Sequence, residues 1–426
     1  MRGIFFPAGT YSEGQMKAGR RRIIEEGAVA AVIYSVATGN IMAGYLSYLG
    51  FSVASCAAIA MIPQLGCVLQ FFSPFLFERL RYRKLSIWIL CGVFRFFASL
   101  CFLLPLLRLH DTWCAVLVVV FYSVSFLAAG YVTPGLQLLV LAASPQEGRG
   151  TFFARKDIVS TIFNSAVILL LSRQLDEYTV RGTEEKGYLF IGAVCLVFAL
   201  IDSLLLLGIH EVRMPYTRNL KFSLILSPGR DMQYRPFFLF STLSGFMGGI
   251  ASPFLAVYQV RVLQFSHTFI TTIGAVSAAA GMIGSYVWGK VLDRSSYVRA
   301  MKTTSAISLC CTLGWASTAF LPGKILAPLL SVTSATCAGA AGIASLNLQY
   351  FLSPEEGKTV YLGATSACAS LAAVASAALA TSLQPLLQTV VADDSIPLLF
   401  FISGTGGFLN LLYHGRRLKE ERADHK

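Results

Sequence analysis

Long apolar segments separated by short polar loops dominate this sequence. A helix needs about 20 apolar residues to cross the hydrocarbon core of a bilayer, and twelve stretches of suitable length can be placed along the 426 residues. They cover residues 25–48, 54–77, 85–107, 112–142, 154–173, 188–209, 236–260, 268–289, 301–321, 325–351, 360–383 and 396–413. Only 13% of the residues are charged, against about 25% in a typical soluble domain. We therefore predict an all-α polytopic membrane protein with twelve transmembrane helices.

The basic residues lie almost entirely on one side of this predicted topology. With the N-terminus in the cytoplasm, 27 of the 34 Lys and Arg residues fall in the even-numbered loops and the tails, and six fall in the odd-numbered loops. Cytoplasmic loops of membrane proteins carry such an excess, so we expect both termini to be cytoplasmic. The net charge of +12 then reflects membrane orientation, and we expect the lipid bilayer, and no nucleic acid, as a partner.

The longest polar stretch between apolar segments separates two groups of six spans. It runs from His210 to Arg235 and contains five basic residues. We predict a cytoplasmic N-terminal segment at 1–22, an N-terminal six-helix half at 23–209, a cytoplasmic linker at 210–235, a C-terminal six-helix half at 236–413 and a basic cytoplasmic tail at 414–426.

The two predicted halves repeat each other in sequence. The loop that starts at Ser144 reads SPQEGR, and the loop that starts at Ser353 reads SPEEGK, which is an offset of 209 residues. Glu78-Arg79 and Asp293-Arg294 recur at an offset of 215 in equivalent loops. Parallel repeats of this kind are related by an axis along the membrane normal, and the substrate path runs between them. We therefore predict two pseudo-symmetric halves.

The loops after the second and eighth spans resemble the hallmark loop of the major facilitator superfamily, G-x-x-x-D-R-x-G-R-R-K. The matching residues are Glu78, Arg79, Arg83 and Lys84 in the first copy and Gly289, Asp293 and Arg294 in the second. The first copy departs by Pro74 for the glycine and Glu78 for the aspartate, and Arg81 and Ser296 replace the inner glycines. The resemblance covers nearly the whole chain and implies the fold of that superfamily.

Several segments also resemble a bacterial branch of this superfamily whose substrates are largely unassigned. They include Glu26-Gly27, Pro63 to Pro74, Arg149 to Arg155, Pro253-Phe254 and Asn347 to Tyr361. The resemblance implies a secondary active transporter in the bacterial inner membrane that moves a small organic solute by alternating access. It implies coupling to an ion gradient, most simply protons, without a cofactor, in a monomer. Uptake and multidrug or metabolite efflux both stay open.

In the superfamily, the hallmark loop stabilises one arrangement of the helices. The physical reason is that an acid beside arginines makes charge-assisted hydrogen bonds, which are lost when the helices pack differently. We expect the seven matching residues to act as gating loops. Their other interpretation is topogenic charge with surface salt bridges.

Three charged residues near the cytoplasmic side are candidates for proton coupling or anion binding, since charges within spans are costly. Arg95 lies about ten residues into the third span, and Asp202 lies about seven residues from the end of the sixth, so the two are expected at similar depths. A structural salt bridge is the simpler interpretation of this pair. Glu26 begins the first span, where it is a second proton-coupling candidate or an acid that complements the helix dipole.

Polar residues on the helices that line the superfamily's cavity are candidates for solute contact. They are Asn40, Tyr131, Tyr258 and Thr336, with Arg95 as a possible positive charge. Each of these uncharged side chains is equally compatible with an interhelical hydrogen bond.

Other chemistries find no support in the sequence. The histidines and cysteines show no metal-ligand spacing and there is no phosphate-binding Walker loop, so we expect no metal site and no enzyme. The drug-antiporter motif of the fifth helix is replaced by Thr161 to Ala166, which disfavours multidrug efflux without excluding it. A transporter-derived receptor or assembly factor is the alternative, although its expected soluble domain is not found.

Overall fold

The computed structural model describes residues 12–51, 55–56, 59, 62–108, 111–145, 147–211, 227–265, 267–294, 296–354, 357–391 and 395–418. The structure is 87% helical, and its described residues form no strand. The all-α fold class is therefore confirmed. The chain divides into two compact units, one made of Met1–Ser144 and Lys156–Leu220 and the other of Pro145–Arg155 and Lys221–Lys426.

The helices of the first half of the chain follow the predicted apolar segments. They are α1 (Glu13–Thr38), α2 (Asn40–Tyr48), α3 (Ile62–Gly66), α4 (Ser73–Phe77), α5 (Lys84–Cys101), α6 (Asp111–Ala143), α7 (Arg149–Val180) and α8 (Glu184–Leu207). A capping box at Ser12 and Gln15 begins α1, because each side chain satisfies a backbone N–H of the first turn. The second predicted span is broken, since a 3-10 segment, Cys67–Phe71, separates α3 from α4.

The second half of the chain contains α9 (Ser227–Arg230), α10 (Arg235–Ala251), α11 (Phe254–Val257), α12 (His267–Arg294), α13 (Tyr297–Ser317), α14 (Gly323–Leu352), α15 (Lys358–Val391) and α16 (Ser395–Tyr413). A π-helical turn, Tyr258–Val262, continues α11. Of the predicted linker, the structure describes residues 210–211 and 227–235.

Eight of the described helical segments are long and apolar enough to cross a membrane. They are Glu13–Tyr48, Lys84–Cys101, Trp113–Ala143, Arg149–Val180, Glu184–Leu207, Gly323–Leu352, Lys358–Thr389 and Ile396–Arg417. A multi-span helical architecture is thus confirmed, whereas the count of twelve spans and the cytoplasmic termini stay predictions.

Close helix contacts at small residues organise both units. In the first unit, a Cβ added at Gly130 of α6 would lie only 1.9 Å from the carbonyl oxygen of Gly66, so α3 and α6 meet backbone to backbone. In the second unit, a Cβ at Gly245 of α10 would lie 2.4 Å from the carbonyl oxygen of Ala369 in α15. Small residues allow this approach in membrane proteins, where van der Waals packing drives helix association.

Candidate functional site

A cluster of three buried charges lies inside the first unit. An Nη of Arg95 in α5 is 2.6 Å from Oε1 of Glu26 in α1, and its other Nη forms an ion pair with Oδ2 of Asp202 in α8. The three residues are at most 3% exposed. The pairing of Arg95 with Asp202 matches the depth estimated from the sequence, and the structure adds Glu26 to the same cluster.

The hydrophobic periodicity of the helices explains why these charges meet. On α8 the buried residues Ile191, Cys195 and Ala199 recur every three or four positions, and Asp202 continues that buried stripe. Arg95 occupies the corresponding stripe of α5, between Cys91 and Ala98. Residues spaced in this way share one helix face, so both charges point into the bundle, where apolar side chains would normally pack.

The charge balance of the cluster defines its chemistry. Two ionised carboxylates and one guanidinium carry a net charge of −1, and one bound proton makes the cluster neutral. Removing one partner of a buried ion pair generally costs about 3–5 kcal/mol. Because Arg95 is paired with both carboxylates, it keeps one carboxylate partner when the charge of the other is removed.

Two basic residues lie near the part of α1 that carries Glu26. Arg22, one turn before Glu26, donates a hydrogen bond of 2.9 Å to the carbonyl oxygen of Gly208, just after α8. A Cβ added at Gly27 would lie 2.8 Å from Cε and 3.1 Å from Nζ of Lys156 in α7.

The first predicted gating loop forms a second buried charge group with a residue that the sequence did not single out. Arg83 lies 3.4 Å from Glu78, and both side chains are at most 5% exposed. Glu211 accepts hydrogen bonds from the backbone N–H groups of Arg83 and Lys84, the latter at 3.0 Å. The Nζ atom of Lys84 donates to the carbonyl oxygen of Leu207 at 2.7 Å.

Glu211 thus caps the first turn of α5, where free N–H groups attract an acid. Burial raises the pKa of its carboxyl group, and the hydrogen bonds from Arg83 and Lys84 oppose that shift. The only feature of the sequence that could have indicated this role of Glu211 was an acidic residue directly after the sixth predicted span. Arg79 of the same loop is exposed.

Of the three matching residues in the second predicted gating loop, Gly289 is the one whose surroundings the structure describes. A Cβ at Gly289 would lie 2.6 Å from Cβ of Ala154 and 3.2 Å from the carbonyl oxygen of Gly150, residues that are grouped with the second unit. The side chains of Asp293 and Arg294 lie outside the described residues.

The described uncharged solute-contact candidates make contacts within their own units. Tyr258 is 1% exposed, and its hydroxyl lies 2.9 Å from Oγ1 of Thr318. The Thr336 hydroxyl donates to the Thr333 carbonyl at 2.7 Å, while half-buried Tyr131 lies beside Phe77, with ring centroids 6.4 Å apart. The side chain of Asn40 lies outside the described residues.

A cavity in the second unit was not anticipated from the sequence. It has a volume of about 240 Å³ and lies between α10, α13, α14 and α16. Seven of its lining side chains carry a hydroxyl group: Ser244, Thr304, Ser305, Ser308, Thr312, Ser334 and Ser403. Their sequence signals were the spacing of Thr304, Ser308 and Thr312 along one face of a helix and the polar side chain of Ser334 within the tenth predicted span. Among the described residues, no group of three His, Cys, Asp or Glu side chains has metal-binding geometry.

Comparisons with known proteins bear on the family. The Major Facilitator Superfamily model matches residues 185–377, and a search of curated proteins finds no match. The structure of the proton:xylose symporter XylE with bound 6-bromo-6-deoxy-D-glucose is similar with a TM-score of 0.71 at 13% identity, over 96% of this chain and 97% of that one.

Two further solved structures are similar over almost their whole length. A bacterial homologue of the iron transporter ferroportin, in the outward-facing state, gives a TM-score of 0.70 at 16% identity, over 95% of this chain and 98% of that one. The transporter FucP, in the outward conformation, gives 0.67 at 12% identity, over 93% and 99% of the two chains. The predicted resemblance to the superfamily is confirmed, and this is a family of transporters, not of enzymes.

Proposed function

We propose that this chain, which resembles the major facilitator superfamily in its fold and in the match of residues 185–377, is a proton-coupled secondary active transporter of a small organic solute. The observation that carries this proposal is the buried cluster of Glu26, Arg95 and Asp202. Ionisable groups inside a membrane bundle are costly, and they mark ion or substrate pathways by default. The transport cycle is alternating access between the two halves, in a bacterial inner membrane with both termini in the cytoplasm.

Proton coupling follows from the charge balance of the cluster. A proton that binds Glu26 or Asp202 changes the cluster from −1 to neutral and leaves Arg95 with one ionised partner. Binding therefore changes the interactions that join α1, α5 and α8, the helices that carry the three residues. A conformational equilibrium shifts only when a ligand binds one state more tightly, and the proton is that ligand here.

The gating loops are proposed to stabilise one end state of the cycle. Glu78 and Arg83 are buried partners, and Glu211 ties the start of α5 to the segment that follows α8. These charge-assisted hydrogen bonds depend on one helix packing, since any shift of α5 against α8 lengthens them.

Transport by reconstituted protein tests the proposal. Vesicles that contain a pH-sensitive dye are offered a panel of neutral polyols, sugars and weak monocarboxylates, with and without a pH gradient. We expect one class of solute to be taken up faster with the gradient and to change the internal pH. Glu26→Gln and Asp202→Asn should lose the gradient dependence while solute exchange without a gradient continues.

Glu25→Gln is the matched control, because Glu25 is adjacent in sequence but its partner is Arg21 on the exposed face, with side chains 40% and 83% exposed. This variant should transport as the unaltered chain does. Retained gradient dependence in both cluster variants would refute coupling at this site. If no solute changes the inward and outward accessibility of the reconstituted protein, the carrier proposal itself is wrong.

A further inference from the structure

The repeat that places three charges in the first unit places neutral groups at the equivalent positions of the second. Phe240, Ser308 and Asn410 follow Glu26, Arg95 and Asp202 by 214, 213 and 208 residues, close to the offsets of the repeated loops. Asn410 donates from Nδ2 to the carbonyl oxygen of Phe240 and to Oγ of Ser244, both at 3.0 Å. The second unit therefore has no ion cluster at these positions, and the hydroxyl-lined cavity lies beside them.

The cavity is wide enough for a metabolite and opens between two helices. Its volume of about 240 Å³ equals the liquid volume of about eight water molecules and is smaller than the 300–1,000 Å³ pockets of drug-sized ligands. Ser244 and Gly248 on α10 and Ala338 on α14 are exposed lining residues. The mouth therefore lies between α10 and α14.

Some lining hydroxyls present acceptors to the cavity. The hydroxyl groups of Thr304, Thr312 and Ser403 donate to the carbonyl oxygens of Ala300, Ser308 and Met247 at 2.9, 3.1 and 2.7 Å. A hydroxyl has one donor and two acceptor lone pairs, so each of these oxygens keeps acceptor capacity. They select for hydrogen-bond donors on a ligand.

Three other lining hydroxyl groups can both donate and accept a hydrogen bond from a ligand. Ser305, Ser308 and Ser334 have no side-chain hydrogen-bond partner within the described part of the protein, so each can donate to a ligand and accept from it. Ser305 and Ser308 lie on α13, and Ser334 lies opposite on α14. No charged side chain is among the described lining residues, and a charged ligand would lose its hydration without a counter-ion.

We propose that this cavity binds the transported solute, and that the solute is a small neutral molecule rich in hydroxyl groups, of the polyol class. The inference rests on the proposed transport function and names its substrate class. A polyol matches the lining because each of its hydroxyl groups donates and accepts, and because it carries no charge. Ser308 and Ser334 hold it from two sides of the cavity.

Equilibrium binding to the full-length protein in lipid nanodiscs tests this site with radiolabelled glycerol, erythritol and xylitol. We expect saturable binding of at least one of them, with one molecule per chain. Erythronate, which replaces a terminal alcohol of erythritol by a carboxylate, should compete at least 100-fold more weakly than erythritol. Saturable binding of none of the three, or equal competition by erythronate, would overturn the proposal.

Variants locate the binding. Ser308→Leu fills the cavity and should abolish binding, while Ser308→Ala and Ser334→Ala, which disturb packing least, should each weaken it about tenfold. Thr303→Ala is the matched control, since Thr303 lies on the same helix but is exposed and bonds only to Arg299. Unchanged binding by Ser308→Ala and Ser334→Ala would place the ligand elsewhere.

The two proposals fail separately. If a polyol binds and the Ser308 variants lose it, yet vesicles show no flux, then the transport function is wrong and the site stands. If vesicles carry a polyol and Ser308→Leu transports it with unchanged KM, then the site is wrong and transport stands.

Discussion

Removing Arg95 should be far more damaging than removing either of its acidic partners. In Arg95→Met the two buried carboxylates of Glu26 and Asp202 lose their shared cation, and the net charge of the cluster changes from −1 to −2. In Glu26→Gln or Asp202→Asn the guanidinium keeps one ionised partner, and the cluster becomes neutral. The order of destabilisation therefore follows from which charge stays uncompensated.

The size of the expected destabilisation follows from the burial of the three charged side chains. All three residues are at most 3% exposed, so breaking the pairing should cost about 3–5 kcal/mol. For a unit of about 150–250 residues, 1 kcal/mol shifts the midpoint by about 2–4 °C, so Arg95→Met should melt about 6–20 °C lower. The single acid variants should lose about 1.5–3 kcal/mol, since each removes one buried hydrogen bond to a charged group and leaves Arg95 with its other partner.

Thermal unfolding of detergent-solubilised protein, followed by circular dichroism at one scan rate, measures this order. Adding Asp202→Asn to Arg95→Met should recover part of the loss, because it removes one uncompensated charge. Glu25→Gln, whose ion pair with Arg21 is exposed, should change the midpoint little, as surface pairs contribute about 0–1 kcal/mol. If the Arg95→Met protein had the same melting temperature as the Glu25→Gln control, the charge argument would be refuted.

Four further predictions concern other parts of the structure. Glu211→Ala should lose about 1–3 kcal/mol, because two N–H groups at the start of α5 lose their acceptor; Glu211→Gln keeps an acceptor and should lose less in denaturant unfolding. Since burial raises the pKa of Glu211, the folded state holds its proton more tightly, so stability should fall as the pH rises above the ordinary carboxyl range, and Glu211→Gln should remove that slope. Gly130→Ala should lower the yield of folded protein, because its Cβ would lie 1.9 Å from the Gly66 carbonyl oxygen, whereas Gly274→Ala, with open space around its Cβ, should not. Tyr258→Phe should cost about 0.5–1.5 kcal/mol for its bond to Thr318 and leave transport unchanged; a raised KM would instead mean that the hydroxyl contacts solute.

The charge cluster was partly predictable because the constant rise per residue of a helix gives the depth of a residue in the membrane from its position in the span. Counting from the span ends placed Arg95 and Asp202 at similar depths, and their meeting needed only that both helices bury those faces. Glu26 was a separate candidate, since the rotation of α1 about its axis cannot be obtained from spacing alone. Its contact with Arg95 at 2.6 Å depends on how α1 packs on α5 and α8.

The features that the sequence did not reveal depend on tertiary packing. Glu211 reads as one more acid in a polar loop, and its role appears only when the segment after α8 meets the start of α5. The cavity is a space between four helices that side chains do not fill, and no local sequence pattern predicts such a space. Serines in apolar helices are also compatible with close packing, so Ser305 and Ser308 carried no functional signal of their own.

The separation of charge and cavity between the two units leads to a last prediction. The proposed proton groups and the proposed solute groups lie on different helices of different units, so neither ligand needs the other's side chains. Coupling then passes through the conformational equilibrium, and each ligand shifts it by its own differential affinity. Glu26→Gln should therefore reduce the number of protons moved per solute and leave the polyol Kd within about twofold. Ser308→Ala should raise that Kd about tenfold and leave the proton-to-solute ratio unchanged. Internal pH and labelled solute, measured in the same vesicles, give both quantities. A Glu26→Gln protein that loses polyol affinity as strongly as Ser308→Ala would show that the two ligands share one site, and the separation would be wrong.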